Sequence, residues 1–309
     1  MNILVTGGCG FIGSHICDTL GHEHRVLALD NLSAGKRESV TCPIVVVDIT
    51  NPPAVLRAVQ DFKPDIIIHA AAQVMLRKSI EEPLFDATQN ILGTISVLEA
   101  ARQCPSLRKF IYLSTGGARY GQPEHLPVKE NDPVRPLSPY GISKHTAEHY
   151  LEAYSTLYGF PYVIFCFGNV YGPRDDASRG RIIPIFAEAL LAGKQPHIFG
   201  DGGQTRDFLY VEDIAKLVAS QINPARTSEF RLFNLASGKN VSINTIFGFV
   251  ARELDSQVKP IYDAAIKGEI RDMQLDISLV AQELGFVPTT IEEGIKKTMA
   301  WYKKTWHTP

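Results

Sequence analysis

The sequence predicts an α/β fold, a doubly wound parallel sheet followed by a smaller C-terminal lobe. Three observations lead there. Short apolar runs alternate with helical patterns through the first half of the chain. The runs are nearly continuous in apolar residues, as strands buried on both faces are. The first run also leads directly into a glycine-rich turn that opens a helical pattern. Strand and helix in alternation imply right-handed crossovers and helices on both faces of one sheet.

The elements follow in order. Ile3–Thr6 is the first strand, and Ile12–Leu20 the helix after the turn. Arg25–Asp30 and Ile44–Asp48 are the second and third strands, and Pro53–Phe62 is helical. Ile66–Ala70 is the fourth strand, followed by a long helical pattern over Leu84–Gln103. Phe110–Ser114 and Tyr162–Phe167 are the fifth and sixth strands, with a helix over Tyr140–Tyr158 between them. Beyond Phe167 the alternation stops. Gly, Pro and Arg become frequent through Gly172–Arg181 and again through Gly200–Arg206. Residues 1–167 therefore read as one domain, with returning segments near 208–236, and 168–309 mainly as a second lobe.

The bulk numbers fit that division. A chain of 309 residues suggests one large domain or two unequal ones. With 45% hydrophobic and 21% charged residues, it has the composition of a soluble globular protein. A net charge of −2 supplies no global field to attract nucleic acid or a membrane surface, so neither is expected as a partner. The five cysteines, Cys9, Cys17, Cys42, Cys104 and Cys166, are scattered, odd in number and form no C-x-x-C pair. They read as reduced thiols in a cytoplasmic protein. The N-terminus enters a strand at once, without the basic and apolar regions of a signal peptide.

Thr6-Gly7-Gly8-Cys9-Gly10-Phe11-Ile12-Gly13 carries the strongest chemical signal. Glycines at 7, 10 and 13 allow a tight turn, close approach of a pyrophosphate and close packing of helix on strand. The helix N-terminus then offers unpaired N–H groups and partial positive charge to the phosphates. This is a Rossmann-like arrangement for a dinucleotide. Asp30 closes the next strand, where an acid binds the adenosine ribose hydroxyls and disfavours a 2′-phosphate, so the expected cofactor is NAD. Asp48 ends the third run, within reach of the adenine. Cys9 reads as a small residue in a tight turn.

A second signal lies in Ser138-Pro139-Tyr140-Gly141-Ile142-Ser143-Lys144. Four residues apart on a helix, Tyr140 and Lys144 share a face. A phenol is a poor base near neutral pH, and a neighbouring ammonium favours its phenolate.

With these motifs joined, the chain resembles the extended short-chain dehydrogenase/reductase family and, within it, the nucleotide-sugar 4-epimerases. The resemblance covers nearly the whole chain. It rests on Thr6–Gly13, Asp30–Ser33, Asp48-Ile49, His69–Gln73, Asn90, Ser114–Gly121, Tyr140 with Lys144, Gly168–Arg174 and Gly200–Asp213. It implies a Rossmann-like domain holding NAD and a smaller C-terminal substrate-binding lobe. The implied reaction inverts C4 of a UDP-hexose, UDP-glucose or UDP-galactose, through a transient 4-keto sugar. Phe11, Ile12, Asp30, Asn31, Ser33, Asp48, Ile49, Ala70, Asn90, Ser114, Tyr140 and Lys144 would join Gly7, Gly10 and Gly13 at the NAD site. Asn169, Phe199 and Arg206 would hold the sugar nucleotide, Phe199 near the base and Arg206 as a fork for the diphosphate. The resemblance also implies a homodimer built on the helices Leu84–Gln103 and Tyr140–Tyr158.

The chain departs from its relatives at several positions. Many carry Ser or Thr where Gly116 stands, and that hydroxyl bridges tyrosine and substrate. Here Thr115, a water or Tyr140 itself must do so. Many carry Arg at the place of Ile266; here Lys267 or Arg271 meets the diphosphate, or the nucleotide sits differently. Met273 falls near a position that gates sugar size, and Arg119 occupies an often apolar place. The acid and base pair that sugar-nucleotide dehydratases use after Ser114 is missing. A dehydratase, decarboxylase or reductase on the same scaffold is the enzymatic alternative, and a non-catalytic NAD-binding regulator the other. His145-Thr146-Ala147-Glu148-His149 matches an H-x-x-E-H zinc pattern, but the helix already carries Tyr140 and Lys144. These read as surface histidines, and no metal is expected.

Overall fold

The computed structural model describes residues 1–223, 232–266 and 270–306. The first half alternates as its apolar runs require. Strand β1 (Asn2–Thr6) leads to helix α1 (Phe11–Gly21), then β2 (Arg25–Asp30) and a short β3 (Ile44–Val46). Helix α2 (Pro52–Phe62) starts on Asn51, whose side chain accepts from Ala54 N, and Pro52 sits at the first helical position where no N–H is needed. Strand β4 (Ile66–His69) precedes α3 (Leu76–Glu81), α4 (Pro83–Ala87) and α5 (Gly93–Ala101). Strand β5 (Lys109–Thr115), helix α6 (Pro139–Tyr158) and strand β6 (Tyr162–Phe167) complete the series. Helix α6 opens on a Ser138 side chain that accepts from Gly141 N and closes on Gly159 in the left-handed conformation.

The sheet has seven strands. Their order is the later strand Leu232–Leu235, then β6, β5, β4, β1, β2 and β3. The pairings of β1 with β2 and β4, of β2 with β3 and of β4 with β5 are parallel. Read from the far edge, this is the 3-2-1-4-5-6 order of a dinucleotide-binding sheet, whose switch point lies between β1 and β4. Ligands bind such sheets beyond the carboxyl ends of the strands at that point. The core packs Leu4, Val55, Val59, Phe62, Ile67, Val97, Leu98, Phe110 and Leu151 together.

One helix differs from its sequence pattern. The expected Leu84–Gln103 helix is α4 and α5 joined by a π-turn at Thr88–Leu92. The wider turn frees backbone groups, and Thr94 Oγ1 donates to Asn90 O at 2.6 Å.

Beyond β6 come β7 (Asn169–Tyr171), α7 (Ile182–Leu191), β8 (His197–Phe199), β9 (Thr205–Tyr210), α8 (Val211–Ser220) and β10 (Leu232–Leu235). Then follow β11 (Asn240–Ser242), α9 (Ile243–Glu253), β12 (Ile261–Asp263), α10 (Ser278–Leu284) and α11 (Ile291–Thr305). Two compact units result. The first is Met1–Arg119, Val134–Cys166 and Ile214–Phe233, and the second is Tyr120–Pro133, Phe167–Asp213 and Asn234–Pro309. The second unit has small sheets, β11-β9-β7 and β12-β8. Its core packs Phe186, Ile246, Val250, Ile295, Met299 and Tyr302. Among the described residues no helix is long and apolar enough to cross a membrane.

Candidate dinucleotide and catalytic site

The glycine turn leaves the carboxyl end of β1 at the sheet's switch point. Gly7 has φ +66°, which a side chain rarely tolerates, and its N–H donates to Leu29 O at 2.7 Å. Gly10 is the extended residue that starts α1. A Cβ at Gly13 would overlap the carbonyl oxygen of Gly7 and lie 2.9 Å from Gly8 Cα. The helix N-terminus is therefore pressed against the turn, and only glycine leaves the backbone open to a phosphate. This cradle fits a dinucleotide. Phe11 and Ile12 are half-buried on the first turn of α1.

Asp30 stands at the end of β2, buried. One carboxylate oxygen accepts from Cys9 N at 2.9 Å and the other from Leu32 N at 2.8 Å, so the acid is held against the turn. Asn31 donates to Asp48 at 2.8 Å and accepts from Ser33 N and Oγ, tying three expected NAD residues into one exposed chain. Burial raises the Asp48 pKa, but the hydroxyl and N–H of Thr50 and the amide of Asn31 outweigh it, leaving it below the ordinary range. Ala70 donates its N–H to Thr6 O at 3.1 Å, on the far side of the turn.

Two of the expected residues face inward. Ile49 belongs to the core and packs on Gly93. Asn90 is buried, and its amide pairs with both backbone groups of Gln73 and donates to Asp86 and Ser143. Its visible work is to hold the segment after β4 against α6.

Tyr140 and Lys144 lie one turn apart near the start of α6, as their spacing requires. Lys144 is buried. Its ammonium donates to Leu113 O at 2.7 Å and sits 4.2 Å from the centre of the Tyr112 ring. Burial pulls its pKa down to about 7, against the opposing pull of the Cys166 and Asp86 charges. Ser114, the next residue of β5, donates to Glu148 at 2.5 Å. Thr115 is half-buried, and its hydroxyl accepts from Ala118 N at 3.4 Å.

The zinc-like pattern resolves differently from its sequence reading. His149 is exposed, but His145 is half-buried and its Nδ1 lies 2.8 Å from the buried Glu148 carboxylate. Arg119 is buried against the same carboxylate. Reading both histidines as surface residues missed this because Arg119 is 29 positions away from Glu148.

In the second unit, Asn169 opens β7, exposed, opposite Phe208 of β9. Phe199 ends β8 with 39% of its surface exposed. Arg206 donates to Thr205 O and Arg271 O. Arg271 is already engaged: it meets Asp201 in a two-toothed pair at 3.0 and 3.1 Å. Met273 is packed inside the unit, 2% exposed, rather than presented at its surface. Ile266 is exposed, and Lys267 lies outside the described residues.

Sequence reasoning missed three supports. Gly8 packs on Ala28, where a Cβ would come within 2.6 Å of that side chain. Gly35 lies as closely against the Cys9 backbone. His69 is fully buried between Thr6 and Thr94, 2.6 and 2.9 Å from their hydroxyls. Burial, with the Lys144 charge, pushes its pKa down to about 3, so it stays neutral. Only the adjacent glycines were legible as a signal, and they gave no partner.

Comparison with known proteins places this geometry. Residues 3–236 match the family model for the NAD dependent epimerase/dehydratase family. A UDP-glucose 4-epimerase from Thermotoga maritima, solved with UDP-glucose, superposes with a TM-score of 0.94 at 36% identity, covering 99% of both chains. A UDP-glucose 4-epimerase from Thermus thermophilus, solved with NAD, gives 0.92 at 36% identity over 99% of this chain and 100% of that one. A UDP-N-acetylglucosamine 4-epimerase from Methanobrevibacter ruminantium, in complex with UDP-N-acetylmuramic acid, gives 0.91 at 33% identity over 99% of each chain. The fold that carries the turn, the acid closing β2 and the Tyr140–Lys144 pair is thus shared along the whole chain: the chain belongs to the NAD-dependent epimerase/dehydratase family of extended short-chain dehydrogenases/reductases.

Proposed function

We propose that this protein is a nucleotide-sugar 4-epimerase, an isomerase that interconverts UDP-glucose and UDP-galactose in the cytoplasm. The observation that carries the reading is the Tyr140–Lys144 pair, with its ammonium anchored on β5, in a chain that resembles UDP-glucose 4-epimerases end to end.

Residues 1–167, with returning segments near 208–236, would hold the dinucleotide, and 168–309 mainly the sugar nucleotide. Gly7, Gly10, Gly13 and the start of α1 would receive the pyrophosphate, Asp30 the ribose, and Asn31, Ser33 and Asp48 the adenosine end. Bound NAD would supply a hydride sink and source at C4. Tyr140 takes the proton of the sugar 4-hydroxyl and later returns it. Lys144 favours the phenolate by its charge. Thr115 offers a hydroxyl to bridge tyrosine and substrate, since position 116 has none. Phe199 stacks on the base, Asn169 and Arg206 bind the diphosphate and sugar, and Arg271 joins them by exchanging Asp201 for phosphate.

Incubation with UDP-galactose tests the reading. UDP-glucose without net NADH supports it. A stable keto sugar indicates a dehydratase, and no conversion of any sugar nucleotide indicates a regulator. Tyr140→Phe should lose most turnover and keep NAD binding, and near-normal turnover would remove Tyr140 from this role.

The same reading includes a homodimer. Leu84, Leu92, Ile142, Leu157 and Tyr158 are exposed on α6 and the α4–α5 helix. An apolar face of that kind is suited to a second copy. Light scattering after size exclusion decides, and a monomer removes the claim.

A further inference from the structure

Apart from Ser114, which the family resemblance assigns to the NAD site, the buried network around Glu148 has no part in the function proposed above. One carboxylate oxygen accepts from the Ser114 hydroxyl at 2.5 Å, with the Cys166 thiol at 3.9 Å. The other meets the Arg119 guanidinium and His145 Nδ1, the latter at 2.8 Å. His145 Nδ1 also lies 3.3 Å from Arg119, and its Nε2 3.2 Å from His149 Nε2. Glu148 is 1% exposed and Arg119 7%. An ion pair so buried holds its geometry closely, because either charge alone would be strongly disfavoured there.

The two main partners of that carboxylate are not arbitrary. Ser114 immediately precedes Thr115, and Arg119 immediately follows Ala118. The segment between them is a tight turn: Arg119 N donates to Gly116 O at 3.2 Å, and Ala118 N to Thr115 Oγ1. The turn rests on the start of α6, where a Cβ at Gly141 would overlap Ala118 O. Both ends of the turn thus end on one side chain, and that side chain lies one helical turn beyond Lys144.

We propose that Arg119 and Glu148 are positioning residues whose buried pair clamps both ends of the turn Thr115–Ala118 and so fixes the Thr115 hydroxyl. A chain with glycine at 116 has one hydroxyl left in this turn, and its two adjacent glycines, Gly116 and Gly117, make the turn loose. Tethering at both ends restores the fixed geometry that a relay between tyrosine and sugar requires. This also gives the unusual arginine at 119 a task. Of the clamp, only its effect on turnover rests on the 4-epimerase reading.

The test compares wild type with Arg119→Met, Glu148→Gln and Arg119→Lys. For UDP-galactose, kcat should fall about tenfold or more in the first two, as small misplacements cost. KM and NAD affinity should stay within about twofold, the signature of a loss confined to the reacting geometry. Arg119→Lys should recover most of the loss. Amide hydrogen exchange at Gly116–Arg119 should speed up about tenfold in Arg119→Met without any substrate. Unchanged kcat, losses shared equally by KM and NAD affinity, or no recovery with lysine would overturn the clamp. If Arg119→Met fails to fold, Glu148→Gln and Arg119→Lys carry both measurements. If wild type converts no sugar nucleotide, the 4-epimerase reading falls alone, and unchanged exchange in the turn would still overturn the clamp.

Discussion

Two glycines of helix α1 should respond to alanine with opposite signs. At Gly13 a new Cβ would overlap the Gly7 carbonyl oxygen and stand 2.9 Å from both the Gly7 carbon and Gly8 Cα. Carbon atoms settle at roughly 3.5–4.0 Å, so the turn must open by about 0.6–1 Å against rigid backbone. Overpacking of that kind costs up to ~3 kcal/mol. Alanine's better helix propensity returns about 1 kcal/mol, leaving a net loss near ~2 kcal/mol. Melting entropy of about 2.1 cal/mol/K per residue converts this, over 309 residues, to roughly 3 °C in Tm. The displaced turn should also weaken NAD by about tenfold or more, equivalent to ~1.4 kcal/mol. At Gly21, the last residue of α1, nothing lies within 4 Å of the added Cβ. There alanine should stabilise by about 0.5–1 kcal/mol and leave NAD affinity unchanged. Thermal melts and fluorescence titration of NAD read both quantities. Gly13→Ala with wild-type Tm and NAD affinity would refute the claim that the turn and helix are in contact there.

Burial holds the Lys144 pKa at about 7, whereas an unfolded lysine titrates near ~10.4. Between those values the unfolded chain binds a proton that the folded chain has released, so wild-type stability rises with pH across the window. The cost of the buried ammonium is full below pH 7. Lys144→Met should therefore compare best with wild type below pH 7, with its relative Tm falling steadily toward pH 10, and a flat difference would count against the buried ammonium. Cys42 is the second case: the neighbouring Cys17 thiol pulls its own down to about 7 against the effect of burial, while burial and the Asp30 charge push Cys9 up to about 11. Iodoacetamide should mark Cys42 before Cys9, with a half-maximal rate near pH 7. A midpoint near the ordinary ~8.5 would contradict it.

The fold was legible because its signals are local. Six runs of apolar residues became six strands, and most matched to within a residue or two, since strands buried on both faces must be apolar throughout. The π-turn at Thr88–Leu92 was not legible, because its residues keep a helical pattern and only the backbone bond from Gly93 N to Thr88 O, five residues back, shows the wider register. The glycine turn and the Tyr140–Lys144 pair were readable for the same local reason. Gly8 and Gly35 were not, since a close approach is a property of two segments. Arg271 shows the same limit. Its residue type suits a diphosphate, but the sequence holds no sign that Asp201, 70 positions away, already takes both its nitrogens. Arg119 was noticed as out of place, yet its reason lay on α6.

That placement has an electrostatic consequence for the chemistry. Lys144 and Glu148 are one turn apart on the same helix, a spacing at which lysine and glutamate normally pair. Here they do not. Lys144 turns its ammonium to Leu113 O, and the Glu148 carboxylate is taken by Arg119, Ser114 and His145. Paired with Glu148, the lysine charge would be cancelled locally and would do little for a phenolate one turn away. Arg119 removes that competitor. Among the described residues the ammonium has no carboxylate partner at contact, which is why burial depresses its pKa so far. A phenolate at Tyr140 would in turn hold the proton on Lys144, because each charge lowers the cost of burying the other. On the proposed clamp, the arginine at an often apolar position thus takes the carboxylate that Lys144 would otherwise meet while it tethers the turn that carries Thr115.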